Sequence, residues 1–89
     1  MGRDKPKITK IDTAYDGSIL IFWNNFKWKN AETEILTCVT TNGDFRPIGK
    51  TTHQSFRIKD PKNVEYIKLI VKNDTGEVYI TDAEKVNGR

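Results

Sequence analysis

The chain has 89 residues, 36% of them hydrophobic and 30% charged, with a formal net charge of +3. A single domain of this size buries only about 60% of the surface its unfolded chain exposes, so its core is thin and a substrate pocket of several hundred Å³ is hard to build. One cysteine, Cys38, and one histidine, His53, exclude an internal disulfide and any Cys/His metal cluster beyond a single pair.

From the N-terminus, apolar residues recur mostly at spacing two, the strand period. The first predicted strand is Lys7–Thr13, and Asp16-Gly17 turns the chain into a second at Ser18–Trp23. There Ile19, Ile21 and Trp23 alternate with Leu20 and Phe22. A third strand, Thr33–Thr41, sets Ile35, Thr37 and Val39 against Leu36 and Cys38. Asn42-Gly43 then marks a hairpin, because both residues tolerate positive φ. The fourth strand, Phe45–Ile48, contains Pro47 and is therefore expected at an edge or a bulge. Gln54–Lys59 is the fifth strand, and Asp60-Pro61 marks a crossover. Val64–Asn73 is the sixth, Asn73–Gly76 a second hairpin, and Glu77–Thr81 the seventh.

β-branched residues fill these runs, as suits a pleated surface. About seven short strands with no sustained helical stripe give an all-β class: an antiparallel β-sandwich over residues 7–82. Residues 1–6 are expected as a disordered tail and 83–89 as a second tail.

The order of strands resembles a fibronectin type III domain. Ile11, Ala14, Ile19, Ile21 and Trp23 follow that family's opening pattern of a first strand, a turn, then apolar-x-apolar-x-Trp. Phe56, Ile58, Asp60-Pro61 and Ile67-x-Leu69-x-Val71 resemble its fifth and sixth strands, and Asn73–Gly76 the loop before its last. The likeness runs from about Pro6 to Val86. The resemblance implies a seven-stranded immunoglobulin-like sandwich. It also implies a tyrosine at the corner opening the sixth strand. Spacing from Phe56 puts Ile67 there, with Tyr66 one residue away. Either a shift turns Tyr66 inward or the corner is missing.

On such a fold the stretch Phe22–Asn30, FWNNFKWKN, divides in two. Trp23 is interior, in phase with Ile19 and Ile21. Asn24 onward is a loop in which Phe26 and Trp28 alternate with Lys27 and Lys29. End loops of a rigid sandwich are where binding residues concentrate. Phe26 and Trp28 are therefore candidates for an aromatic contact, with Lys27 and Lys29 as a positive rim. The competing reading makes one or both aromatics a lid over the open end of the core. Leu20 and Phe22, out of phase with Trp23, form a second candidate contact unless flanking strands cover them.

No phosphate loop, paired-carboxylate motif or zinc spacing is present, and no cofactor or metal is implied. Cys38 and His53 could form a thiol–imidazole pair, but a mid-strand cysteine is usually a small hydrophobe. Asp12, Asp16, Asp60, Asp74 and Asp82 lack the spacing of a calcium loop. Asn73-Asp74-Thr75 fits the glycosylation acceptor pattern, a match common by chance. Lysines are interleaved with acids along the chain, whereas a nucleic-acid binder concentrates its positive charge on one face.

The expected function is a non-catalytic protein-binding or spacer module of a larger extracellular, cell-surface or virion assembly. Its partner would be another protein or a neighbouring domain, without membrane insertion. The alternative is an accessory domain gripping a polysaccharide or single-stranded nucleic acid through loop aromatics and lysines.

Overall fold

The computed structural model describes residues 5–26, 28, 30–38, 44–59 and 64–86. Among them the protein is all-β, with eight strands: β1 (Lys7–Thr13), β2 (Ile19–Asn24), β3 (Glu32–Cys38), β4 (Arg46–Thr51), β5 (Ser55–Ile58), β6 (Tyr66–Lys72), β7 (Val78–Ile80) and β8 (Glu84–Lys85). Two antiparallel sheets result. Sheet A has the order β1-β2-β5; sheet B has the order β4-β3-β6-β7, with β8 also paired to β6.

The alternation in the sequence becomes the two faces of each strand. Ile19, Ile21 and Trp23 on β2 are buried, as are Ile67, Leu69 and Val71 on β6. With Ile35 from β3, Ile58 from β5, and Ala31, Val64 and Val86, they form one core fed by both sheets. Ile67 thus faces the core, and the half-buried Tyr66 stands on the other face, opposite Cys38 and Lys85. The tyrosine corner is therefore absent at these positions.

The strand count is corrected from seven to eight. β6 pairs on one side with both β7, at Ile70–Lys72, and β8, at Tyr66–Ile67. Between them Thr81 bridges the break: its N–H donates to Leu69 O at 2.9 Å, and its hydroxyl accepts the Leu69 N–H at 2.9 Å. The side chain replaces a backbone carbonyl of the ladder. The segment expected as a C-terminal tail thus contributes β8 and the fully buried Val86, whose N–H donates to Glu65 O at 2.8 Å.

Two hairpins share one construction. Ala14 N–H bonds Ser18 O at 2.8 Å, Asn73 N–H bonds Glu77 O at 3.0 Å, and Gly17 and Gly76 take φ of 92° and 91°. An L side chain is strained at that φ, which is why glycine closes both turns. Asn73 Oδ1 accepts hydrogen bonds from Thr75 N, Thr75 Oγ1 and Glu77 N, so Asn73 and Thr75 of the acceptor-like triplet are engaged in the turn itself. The expected Asn42-Gly43 hairpin and Asp60-Pro61 crossover lie outside the described residues.

Pro47 sits where a missing N–H is tolerated: β4 is an edge strand, and its register against β3 shifts between Ile35 and Leu36. Beside it Gly49 admits the Phe56 ring of β5 so closely that a Cβ on Gly49 would lie 2.6 Å from Phe56 Cζ. This contact brings the edges of the two sheets together. The outer side of β3 is also buried toward its C-terminal end, where Leu36 and Cys38 are 8% and 4% exposed. Leu36 lies opposite Pro47 and Lys68, and the Lys68 ammonium stands 4.4 Å over the Phe45 ring.

Candidate functional site

The β2–β3 loop, the β4–β5 turn and the β6–β7 hairpin meet at one end of the sandwich. Their arrangement is fixed by short hydrogen bonds. Trp23 N–H donates to Gln54 O at 3.1 Å and Asn25 N–H to Gln54 Oε1 at 2.7 Å, so Gln54 holds the loop base. Phe26 N–H donates to Asn24 Oδ1 at 2.7 Å, and Trp28 N–H to Asn25 O at 2.8 Å. Asn30 Nδ2 reaches Asp74 Oδ2 at 3.4 Å, linking the loop to the hairpin tip.

The aromatic residues of the loop divide. Trp23 is interior at 4% exposure, in phase with Ile19 and Ile21. Phe26 is 48% exposed and has φ of 52°. Trp28 is half-buried, packs against the core, and meets Tyr79 at a centroid distance of 6.2 Å and an interplanar angle of 60°. Its position is that of a lid. The Lys5 ammonium also stands over the Tyr79 ring, 5.3 Å from its centroid. Lys27 and Lys29, expected as a positive rim, lie outside the described residues.

Leu20 and Phe22 are on the outer face of sheet A, out of phase with the buried Trp23. Leu20 is half-buried between Asp12 and Arg57; Phe22, between Lys10 and Ser55, is 37% exposed. The flanking strands thus cover much of this pair. More apolar surface is open on the outside of sheet B, where Val78 and Ile80 are each 54% exposed. On β7 it is Tyr79, paired with the buried Val71, that shares the inward phase.

The reactive side chains do not assemble. Cys38 is buried at one end of β3, and His53 is exposed on the turn beyond Thr51, which pairs with Thr33 at the other end. Asp12 pairs with Lys10 at 3.3 Å and Asp16 with Arg57 at 3.9 Å. The Asp16 carboxylate accepts the Ser18 hydroxyl at 2.7 Å and the Ser18 N–H at 3.0 Å. These two bonds, the hydroxyl foremost, hold its pKa below the ordinary carboxylate value. No group of three or more His, Cys, Asp or Glu suited to a metal ion occurs among the described residues. Nor does any helix there have the length and apolarity to cross a membrane.

Gln54, Tyr79 and Lys5 are the parts of this end that sequence reasoning did not single out. The in-phase spacing of Tyr79 from Thr81 was the available signal for the tyrosine; the partnership of Gln54 with Asn25, 29 positions away, left none.

No family model matches the chain, and no curated protein matches it. Two solved structures are similar, both of pectate lyase PelI from Erwinia chrysanthemi. The one in complex with tetragalacturonic acid has a TM-score of 0.77 and 15% identity, covering 94% of this chain and 29% of that one. The other has a TM-score of 0.76 and 15% identity, covering 93% and 27%. The chain thus spans less than a third of the solved chains it matches, and at this identity the likeness is one of fold alone.

Proposed function

We propose that the chain is a fibronectin type III-like sandwich serving as a non-catalytic protein-binding or spacer module of a larger extracellular, cell-surface or virion assembly. It meets another protein or a neighbouring domain through the Asn24–Asn30 loop. The observation that carries this reading is Phe26. A bulky residue with φ of 52° is strained by roughly 1–2 kcal/mol, and glycine or asparagine would fit there more cheaply. At 48% exposure the ring also returns little to the core. An exposed aromatic kept at a strained position, on a loop braced by Asn24 and Gln54, is suited to burial against a partner.

Two further features support the module. Strands 1, 2 and 5 oppose strands 3, 4, 6 and 7, with the fourth strand beside the third, which is the partition an immunoglobulin-like Greek key would have. β1 begins opposite Asn24 at the loop end, and Val86 closes against Glu65 at the far end of a body 35 Å long. The first and last described strands thus lie toward opposite ends of the sandwich, an arrangement suited to a spacer. Phe22, with Leu20 beside it, provides a smaller second contact on the outside of sheet A.

The alternative is an accessory domain for a polysaccharide or single-stranded nucleic acid. The likeness to under a third of a pectate lyase, solved with a galacturonate oligomer, favours its polysaccharide form. A photo-crosslinking residue decides between these readings. Placed at position 26 in cells that make the protein, it should give a discrete protein adduct. The same residue at position 15, fully exposed at the other end, should not. Phe26→Gly should lose partner binding while keeping or raising the melting temperature. Equal labelling at both positions would overturn the loop contact. Retardation in an oligogalacturonate affinity gel would shift the conclusion to the polysaccharide reading.

A further inference from the structure

Three polar side-chain atoms inside the sandwich have no hydrogen-bond partner among the described residues: Trp23 Nε1, Asn25 Oδ1 and Thr33 Oγ1. Their residues are 4%, 6% and 0% exposed, so bulk water does not reach them. Buried polar groups are almost always satisfied, and three orphans in one small domain require an explanation.

The topology places the three around one feature. Trp23 and Asn25 are two residues apart, in the same phase, and the backbone N–H of each is bonded to Gln54. Thr33 faces inward from β3, opposite Thr51. Thr51 and Gln54 bound the turn that carries the chain from sheet B to sheet A. The orphans therefore flank this crossing from both sheets, at the base of the loop that presents Phe26.

Their chemistry is complementary. An indole N–H only donates, an amide oxygen only accepts, and a hydroxyl does either. None carries charge, so a bound ion would lack a counter-charge. A water molecule can accept from the indole, donate to the amide oxygen and exchange a bond with the hydroxyl. We propose that Trp23, Asn25 and Thr33 seat one buried water, which bridges β2, the β2–β3 loop and β3. Internal waters occur at about one per 27 residues and make about three hydrogen bonds each, which is the number of orphan atoms available here. The water pins the loop base to the core.

The test uses the intact chain. In water-selected NMR experiments the Trp23 indole proton should show a cross-peak to water with the NOE sign of a long-lived molecule. Absence of that cross-peak would overturn the proposal. So would a crystal structure in which the indole bonds Asn25 Oδ1 or Thr33 Oγ1 directly. Thr33→Val keeps the shape and removes one partner. There the cross-peak should persist through the two remaining partners, and indole exchange with solvent should speed up on the order of fivefold. A cross-peak that vanishes with the hydroxyl would mean relay through Thr33 rather than a bound water, and would equally refute the site.

Discussion

Replacing Trp28 by alanine tests whether the loop end is a lid as well as a contact surface. The ring is half-buried against the core and tilted onto Tyr79. An aromatic side chain buries about 200 Å² when fully enclosed, so about 100 Å² returns to water in the variant. At ~25 cal/mol per Å² that costs about 2.5 kcal/mol, and the lost aromatic pair adds roughly 0.5–1 kcal/mol. Each kcal/mol moves the melting point of a domain this size by about 4–8 °C, so a fall of more than about 10 °C is expected. Thermal unfolding followed by circular dichroism reads it directly. Phe26→Ala, which exposes no core, should move the midpoint by no more than about 4 °C. If Trp28→Ala melts within about 2 °C of the parent chain, the ring is not a lid. It would then be free for the same partner as Phe26.

Three other outcomes follow from the packing and the electrostatics. Gly49→Ala drives a methyl group to 2.6 Å from Phe56 Cζ, and overpacking of this kind costs about 1–3 kcal/mol in chemical denaturation. In a Phe56→Leu background, which removes the ring tip, the same substitution should cost much less; an equal cost in both backgrounds would show that the contact is not the cause. Thr81→Val orphans the buried Leu69 N–H and should lose about 1–3 kcal/mol, with hydrogen exchange at Leu69 accelerated relative to the rest of β6. Asp16 has a folded pKa lowered from 3.8, so its stabilisation is present above that value and is lost as pH falls through the lower folded one. Ser18→Ala removes the main cause. It should raise the Asp16 carboxyl pKa, read by NMR titration, and reduce the loss of stability on the acid side.

Much of this architecture is legible in the sequence because a strand's period is unambiguous when one face is apolar. Ile19-x-Ile21-x-Trp23 and Ile67-x-Leu69-x-Val71 each have a single inward register, and both faces follow from it. Pro47 announced its edge position for an equally local reason. β8 was not legible, since Asp82-Ala83-Glu84-Lys85 has no strand-forming residue and its pairing depends on a bond made by the Thr81 side chain. Leu36 and Cys38 are buried on an outer face, with Pro47, Lys68 and Tyr66 opposite them on neighbouring strands, a tertiary circumstance without a periodic trace. At the loop end, the burial of Trp23 could be anticipated from phase, whereas position alone left Phe26 between a contact and a lid. Tyr79 and Gln54 could not be assigned their parts, because each acts across the gap between distant segments.

The lateral margins of the two sheets carry a common consequence. β1 has a register shift near Thr9 and lysines at positions 7 and 10, β4 has its proline and its own shift, and β7 and β8 are three and two residues long with a break between them. Each of these interruptions discourages a foreign strand from zipping on, so copies crowded side by side resist sheet-to-sheet fusion and fibre growth. Among the described residues only β5, four residues from Ser55 to Ile58, offers an unbroken margin, and Phe56 within it is already committed to Gly49. A domain with such margins can be packed at high local concentration without sticking to its neighbours along the sides.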